Sequence, residues 1–291
     1  MSTETERLDK HRREVRTRSG PVSFVDTGGP GRPALFVHGL ATSSYLWRHV
    51  IEQLDGQRRC VAVDLPLHGQ TPAAAGQDFS LPGLTRFVAD FCDKLELNSI
   101  DLVANDTGGA ICQAFAADHS ERLHTLTLTN CEAHDNLPPK ALRLMVLLSR
   151  TGLAARVMPR LLLTDVSRGR KLMYGAGYQD VTSLPLDIAS AWLQPLFGTR
   201  ESARQNERIL PSLHARDLLA IEPALTRLQI PTLIVWGTGD KFFNRKWAYW
   251  LRDTIPGASQ VVEIEGARLF FPDERAAEFT AALRRHWDDH P

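Results

Sequence analysis

Residues Ile100 to Ala110 read as a buried strand that must turn abruptly into a helix. Ile100-Asp101-Leu102-Val103-Ala104 is a largely apolar run, Asn105-Asp106 interrupt it, and Thr107-Gly108-Gly109-Ala110 opens a helix-like stretch reaching about Ala117. The small residues Ala104 and Gly108 on either side of Asp106 let strand and helix close on one another while Asp106 occupies a tight, exposed turn. A carboxylate there is ionised near neutral pH and can attack carbon with no base to remove a proton, leaving an alkyl ester that only activated water can cleave. Asn and Asp also cap helices well, so the pair has a purely structural reading beside the chemical one.

Strand-like and helix-like segments alternate on both sides of this junction, as a mostly parallel, doubly wound sheet requires. Strands are predicted at Pro21–Asp26, Ala34–Val37, Arg59–Val63, Ile100–Ala104, Leu123–Leu128, Thr232–Trp236 and Gln260–Ile264, a sheet of about eight strands in all. Helices are predicted at Ser43–Leu54, Leu81–Leu95 and Glu274–Trp287. From Glu132 to Leu219 no buried-strand run occurs, only helix-like stretches, clearest at Ala141–Leu148, Ala154–Leu163 and Ile188–Gln194. The chain therefore divides into core residues 1–131, a helical cap at 132–219 between two central strands, and core residues 220–291. Such an insertion covers the strand ends where open α/β sheets bind ligands.

Bulk properties remove several function classes. Lys plus Arg and Asp plus Glu balance at 34 each, so overall charge points to neither nucleic acid nor a membrane surface. Cys60, Cys92, Cys112 and Cys131 lack metal-ligand spacing and sit in or beside apolar segments, which favours packed, reduced thiols and a cytoplasmic location. The densely charged N-terminus lacks the apolar core of a signal peptide. Gly28-Gly29-Pro30-Gly31 is a turn rather than a dinucleotide fingerprint, so no metal and no organic cofactor are expected. Monomer and homodimer both remain open.

Phe36-Val37-His38-Gly39-Leu40, together with the Asp106 turn, resembles the α/β-hydrolase superfamily on its haloalkane dehalogenase and epoxide hydrolase branch. His38 to Arg48 (HGLATSSYLWR) is close to the dehalogenase form of this loop, which usually has Asn-Pro where this chain has Leu40-Ala41. The resemblance implies Asp106 as nucleophile, with the backbone N–H groups of Leu40 and Thr107 as oxyanion-hole donors. His38 then braces the loop. It also implies side-chain donors for a departing halide at positions 40 and 107. Leu40 has none, and Thr107 offers one hydroxyl where an indole N–H is usual. Epoxide hydrolases protonate the opening ring with cap tyrosines, for which Tyr174 and Tyr178 are candidates, with Trp192 as a further wall. Gly175 and Gly177 argue against a regular helix there, and an aromatic pair that only packs the cap is the other reading.

In Val235-Trp236-Gly237-Thr238-Gly239-Asp240, Asp240 matches the triad acid, with Glu132 and Asp135 as alternatives. The base histidine should follow in Gly266-Ala267-Arg268-Leu269-Phe270, where Leu269 stands in its place. Of the other histidines, His134 is the best placed to replace it, although a solvated hinge histidine is the other reading. Three explanations stay open: a substitution introduced to trap the ester, a natural change in a protein that binds or rearranges an apolar ligand, or service by His134. The sequence-level expectation is a capped hydrolase in which Asp106 attacks a small apolar electrophile, an epoxide or halide. A non-hydrolytic binding or rearranging protein is the alternative. Ester or amide hydrolysis fits worst, because carboxylate attack at an acyl carbon gives an anhydride.

Overall fold

Four short segments are buried from end to end: Ala34–Val37, Cys60–Val63, Ile100–Asn105 and Thr232–Gly237. Strands with no polar face must be covered on both sides, which parallel sheets achieve with helices. A computed structural model, which describes residues 4–152 and 154–291, shows this arrangement. Residues 1–3 of the charged N-terminal segment lie outside the described residues.

The sheet has eight strands: β1 (Arg12–Thr17), β2 (Gly20–Asp26), β3 (Ala34–Val37), β4 (Cys60–Val63), β5 (Ile100–Asn105), β6 (Leu123–Thr129), β7 (Thr232–Gly237) and β8 (Ala258–Ile264). Their spatial order is β1-β2-β4-β3-β5-β6-β7-β8, with β2 antiparallel to both its neighbours and the remainder parallel. Strand β1 was not expected. Its sequence RREVRT has no buried residue and four charged ones, the signature of a charged edge strand, which hydrophobic patterning does not register. The expected helix at Ser43–Leu54 is a 3-10 turn, Ser44–Trp47, that runs into the helix Arg48–Leu54.

The chain order reverses between β3 and β5, and that topological switch opens a crevice at the strands' carboxyl ends. Val37 lies beside Ala104, so the loop beginning at His38 and the turn at Asp106 leave the sheet side by side. Only glycine fits at their closest approach. A Cβ on Gly108 would overlap the carbonyl oxygens of Val37 and His38, and one on Gly39 would overlap the Asp106 side chain. Gly108→Ala is therefore expected to destabilise the fold by on the order of 2 kcal/mol, read as a lowered midpoint in urea unfolding.

Between β6 and β7 the chain builds the helices Arg143–Ser149, Ala154–Leu163, Val166–Tyr174, Leu186–Phe197, Arg200–Ser212 and Ala215–Leu225. The last packs on the Thr107–Asp118 helix that follows Asp106, so the expected boundary at 219 falls within a helix joined to the core layer. All four cysteines are buried and free. Among the described residues no helix is long and apolar enough to cross a membrane.

Candidate active site

Asp106 has φ +56° and ψ −137°, a left-handed turn between β5 and the Thr107–Asp118 helix. Hydrogen bonds at both ends hold this conformation: the Asp106 N–H donates to Asn130 O at 3.0 Å, and the Gly109 N–H donates to Asp106 O at 2.7 Å. A strained backbone secured in this way is a common setting for a functional side chain. Asp106 sits at the N-cap position, but its side chain makes no helix-capping hydrogen bond.

The Leu40 N–H donates to Asp106 Oδ2 at 2.8 Å. Two histidines hold the loop that presents it. The Leu65 N–H donates to His38 Nε2 at 3.0 Å and the Ala41 N–H to His68 Nε2 at 3.1 Å. Each Nδ1 then carries the hydrogen and faces a carbonyl, Gly39 O at 2.7 Å and Pro66 O at 2.9 Å. Burial keeps both rings neutral, lowering His38 to about 4 and His68 to about 3. Neither is free to take a proton from water. His68 escaped the sequence reading because it follows a loop with no motif of its own.

Three carboxyl groups meet here, and among the described residues none of them forms an ion pair. Burial raises Asp106 to about 7, against the pull of the Leu40 and Thr107 N–H groups, and the charge of Asp240 pushes the same way. Burial likewise raises Asp240 to about 6, opposed by the Phe242 and Phe243 N–H groups, by Asn130 and by the charge of Arg268. Asn130 Nδ2 donates to Asp240 Oδ2 at 2.7 Å, while the Phe242 N–H donates to Oδ1 at 2.6 Å. Asn130 also bonds both the N–H and the carbonyl of Gly237, so one side chain at the end of β6 fixes the loop after β7. Glu132, fully buried, accepts from Thr107 Oγ1 at 2.8 Å and lies well above the usual carboxylate range, through burial and the nearby Asp106. Its other oxygen has no hydrogen-bond partner among the described residues, which fits a protonated acid.

Leu269 is 4% exposed and forms a wall of the cavity beside Asp106. Its carbonyl accepts from Asn105 Nδ2 at 3.1 Å, so the backbone of the base position is tied to the residue preceding Asp106. The cavity measures about 560 Å³ and extends from Asp106, Leu40 and Thr107 up to the inserted helices. Its walls are mainly apolar, with Met145, Leu148, Met158, Phe197 and Phe243 among them.

Several expected residues fall elsewhere. His134 turns away at φ +54°, with Nδ1 2.9 Å from Glu222 Oε2 and its ring against Trp250, so it is a surface hinge residue and not a replacement base. Asp135 is exposed and forms no part of the cavity wall. Tyr174 lines the cavity, but its hydroxyl donates to Ala41 O at 2.8 Å. Tyr178 and Trp192 lie outside the wall. The Tyr178 hydroxyl donates to Asp273 Oδ2 at 2.7 Å, and Trp192 Nε1 donates to Ser43 Oγ at 3.1 Å. The helix ends at Tyr174 with Gly175 as its cap, which separates the two tyrosines that an unbroken helix would align.

A family model described as alpha/beta hydrolase fold matches residues 33–275. A haloalkane dehalogenase of Agrobacterium fabrum is 28% identical over 283 residues, spanning 89% of this chain and 86% of the relative. A cis-3-alkyl-4-alkyloxetan-2-one decarboxylase of Shewanella oneidensis is 25% identical over 262 residues, covering 85% and 79% of the two chains. Among solved structures, a thermophilic esterase from Thermogutta terrifontis superposes with a TM-score of 0.75 at 23% identity, covering 96% of this chain and 99% of the esterase. At that identity the likeness concerns the fold alone.

Proposed function

The chain belongs to the α/β-hydrolase fold family, and we propose that within it Asp106 is a nucleophile toward carbon, forming an alkyl ester with an apolar electrophile admitted beneath a helical cap. The observation that carries this reading is the Asp106 carboxylate at a left-handed elbow, one oxygen held by the Leu40 N–H and the cavity beside it. Attack by Oδ1 makes Oδ2 the carbonyl oxygen of the ester, already seated on its donor. Ester cleavage then needs a water activated by a base at position 269, and leucine supplies none. The ester should persist. The four free, buried cysteines support a cytoplasmic setting for this chemistry.

The leaving group narrows the electrophile. Thr107 gives its hydroxyl to Glu132, and Leu40 has no side-chain donor, so a departing halide lacks the usual pair of donors. The Tyr174 and Tyr178 hydroxyls are committed to Ala41 and Asp273, so an opening epoxide lacks a free phenol. A strained ring whose leaving group is itself a stable anion needs neither, and this favours the second, non-hydrolytic reading in the form of a β-lactone. In that reaction the Asp106 Oδ1–C4 bond forms as the ring C4–O bond breaks, releasing a carboxylate on the substrate. Its C–CO₂ bond then breaks, the electron pair becomes the C3–C4 double bond, and the Asp106–C4 bond returns its pair to the aspartate. The products are an alkene and carbon dioxide, with no proton and no water consumed. The decarboxylase relative, whose name specifies an oxetanone, supports the choice.

Intact-protein mass spectrometry after exposure to an epoxide, a haloalkane and a dialkyl β-lactone tests both readings. The expected result is a stable adduct on Asp106 with a simple electrophile, absent in Asp106→Asn, and alkene release from the lactone. No adduct and no alkene with any of the three would remove the nucleophile assignment.

A further inference from the structure

The balanced charge of the whole chain hides a local excess. Between residues 140 and 171 there are eight Lys or Arg residues and a single acid, Asp165. Lys140, Arg143, Arg150, Arg156, Arg160 and Lys171 are all exposed, and among the described residues none of them forms an ion pair. The same segment carries unusual apolar exposure. The helix Arg143–Ser149, RLMVLLS, has no buried residue. Leu144 and Leu147 are 66% and 60% exposed, Val157 on the next helix is 49% exposed, and Leu172 on the one after is 56% exposed. These three helices pack in sequence. Met145, Leu148 and Leu172 border the cavity as well, so the apolar surface continues into its mouth.

From this juxtaposition we infer that the cap face formed by helices Arg143–Ser149, Ala154–Leu163 and Val166–Tyr174 docks on an anionic lipid surface, with Leu144 and Leu147 in the interface and the cations at headgroup level. A short helix with apolar side chains, flanked by Lys and Arg and lacking acids, is the composition of an interfacial anchor. Anionic headgroups also answer the charge. A second copy of this chain does not, because symmetric pairing would set one cationic face against another. An apolar substrate dissolved in the bilayer would reach the cavity without crossing water. This inference concerns where the mouth points and holds whether or not Asp106 is a nucleophile.

Cosedimentation of the full chain with vesicles of phosphatidylcholine plus phosphatidylglycerol, against phosphatidylcholine alone, tests it. Binding to the anionic vesicles that weakens with salt is expected, and each of Arg143→Ala and Arg150→Ala should weaken it about fivefold. Leu144→Asp with Leu147→Asp should weaken it by about tenfold or more with an unchanged circular dichroism spectrum, since neither side chain is buried or lines the cavity. No sedimentation with either vesicle would overturn the inference. So would a dimer in solution that the aspartate variants dissociate, which would make this face a contact between copies.

Discussion

Replacing Leu269 with His is expected to accelerate loss of an ester from Asp106 by about 10²–10⁴-fold, the usual worth of general-base assistance. On the proposed reading, two groups that would orient an imidazole there are firmly held. Asn105 holds the carbonyl of residue 269, and Asp240 is held by Asn130 and by the Phe242 and Phe243 N–H groups. An imidazolium beside Asp240 would add a nearer countercharge than Arg268 and draw that carboxyl back toward its ordinary range. The lifetime of the adduct, followed by intact mass in both proteins, is the measurement. Equal lifetimes would mean that the Leu269 side chain does not face the ester.

Acidification is expected to slow attack by Asp106 and, unusually for a carboxylate, to remove a cost to stability. Only the ionised form attacks, so labelling should rise with pH through about 7 and be about tenfold slower one unit below it. For stability, Asp106 has a folded-state pKa above its ordinary value of 3.8, so the native protein binds that proton more tightly than the unfolded chain does. Its contribution is fully retained below about pH 4 and is lost as pH rises through 7. Asp240, raised to about 6, acts in the same direction. His38 and His68, held neutral by burial, act oppositely below the ordinary histidine range. The clean readout is therefore a difference. Asp106→Asn should raise the thermal midpoint at pH 8, by on the order of 2 kcal/mol of stability, and leave it nearly unchanged at pH 4. An equal effect at both pH values would show that burial does not raise Asp106.

The sequence revealed the sheet and the elbow because both depend on local chemistry. Apolar runs too long to be half-exposed marked β3, β4, β5 and β7, and the small residues around Asp106 marked the turn. It did not reveal β1, whose partner and register depend on β2 rather than on its own apolar content. Nor did it reveal which cap residues reach the cavity. Tyr174 and Tyr178 lie four apart, yet the chain leaves the helix between them and their hydroxyls end on different segments, Ala41 and Asp273. Asn105 read only as a possible helix cap, and Asn130 drew no reading at all. Their importance lies in what they tie together across the sheet, Leu269 in one case and Asp240 in the other, and contacts over more than a hundred residues leave no periodic trace.

The cationic cap has a consequence for how the molecule travels. With 34 basic and 34 acidic residues in total, the excess of Lys and Arg between 140 and 171 is offset by an excess of acid in the rest of the chain. Charge is thus unevenly shared between the cap and the rest of a chain whose formal net charge is zero. Near a negatively charged surface it would feel a torque before any net attraction, within roughly one Debye length, about 8 Å in physiological salt. Its approach would be oriented, with the cavity mouth leading.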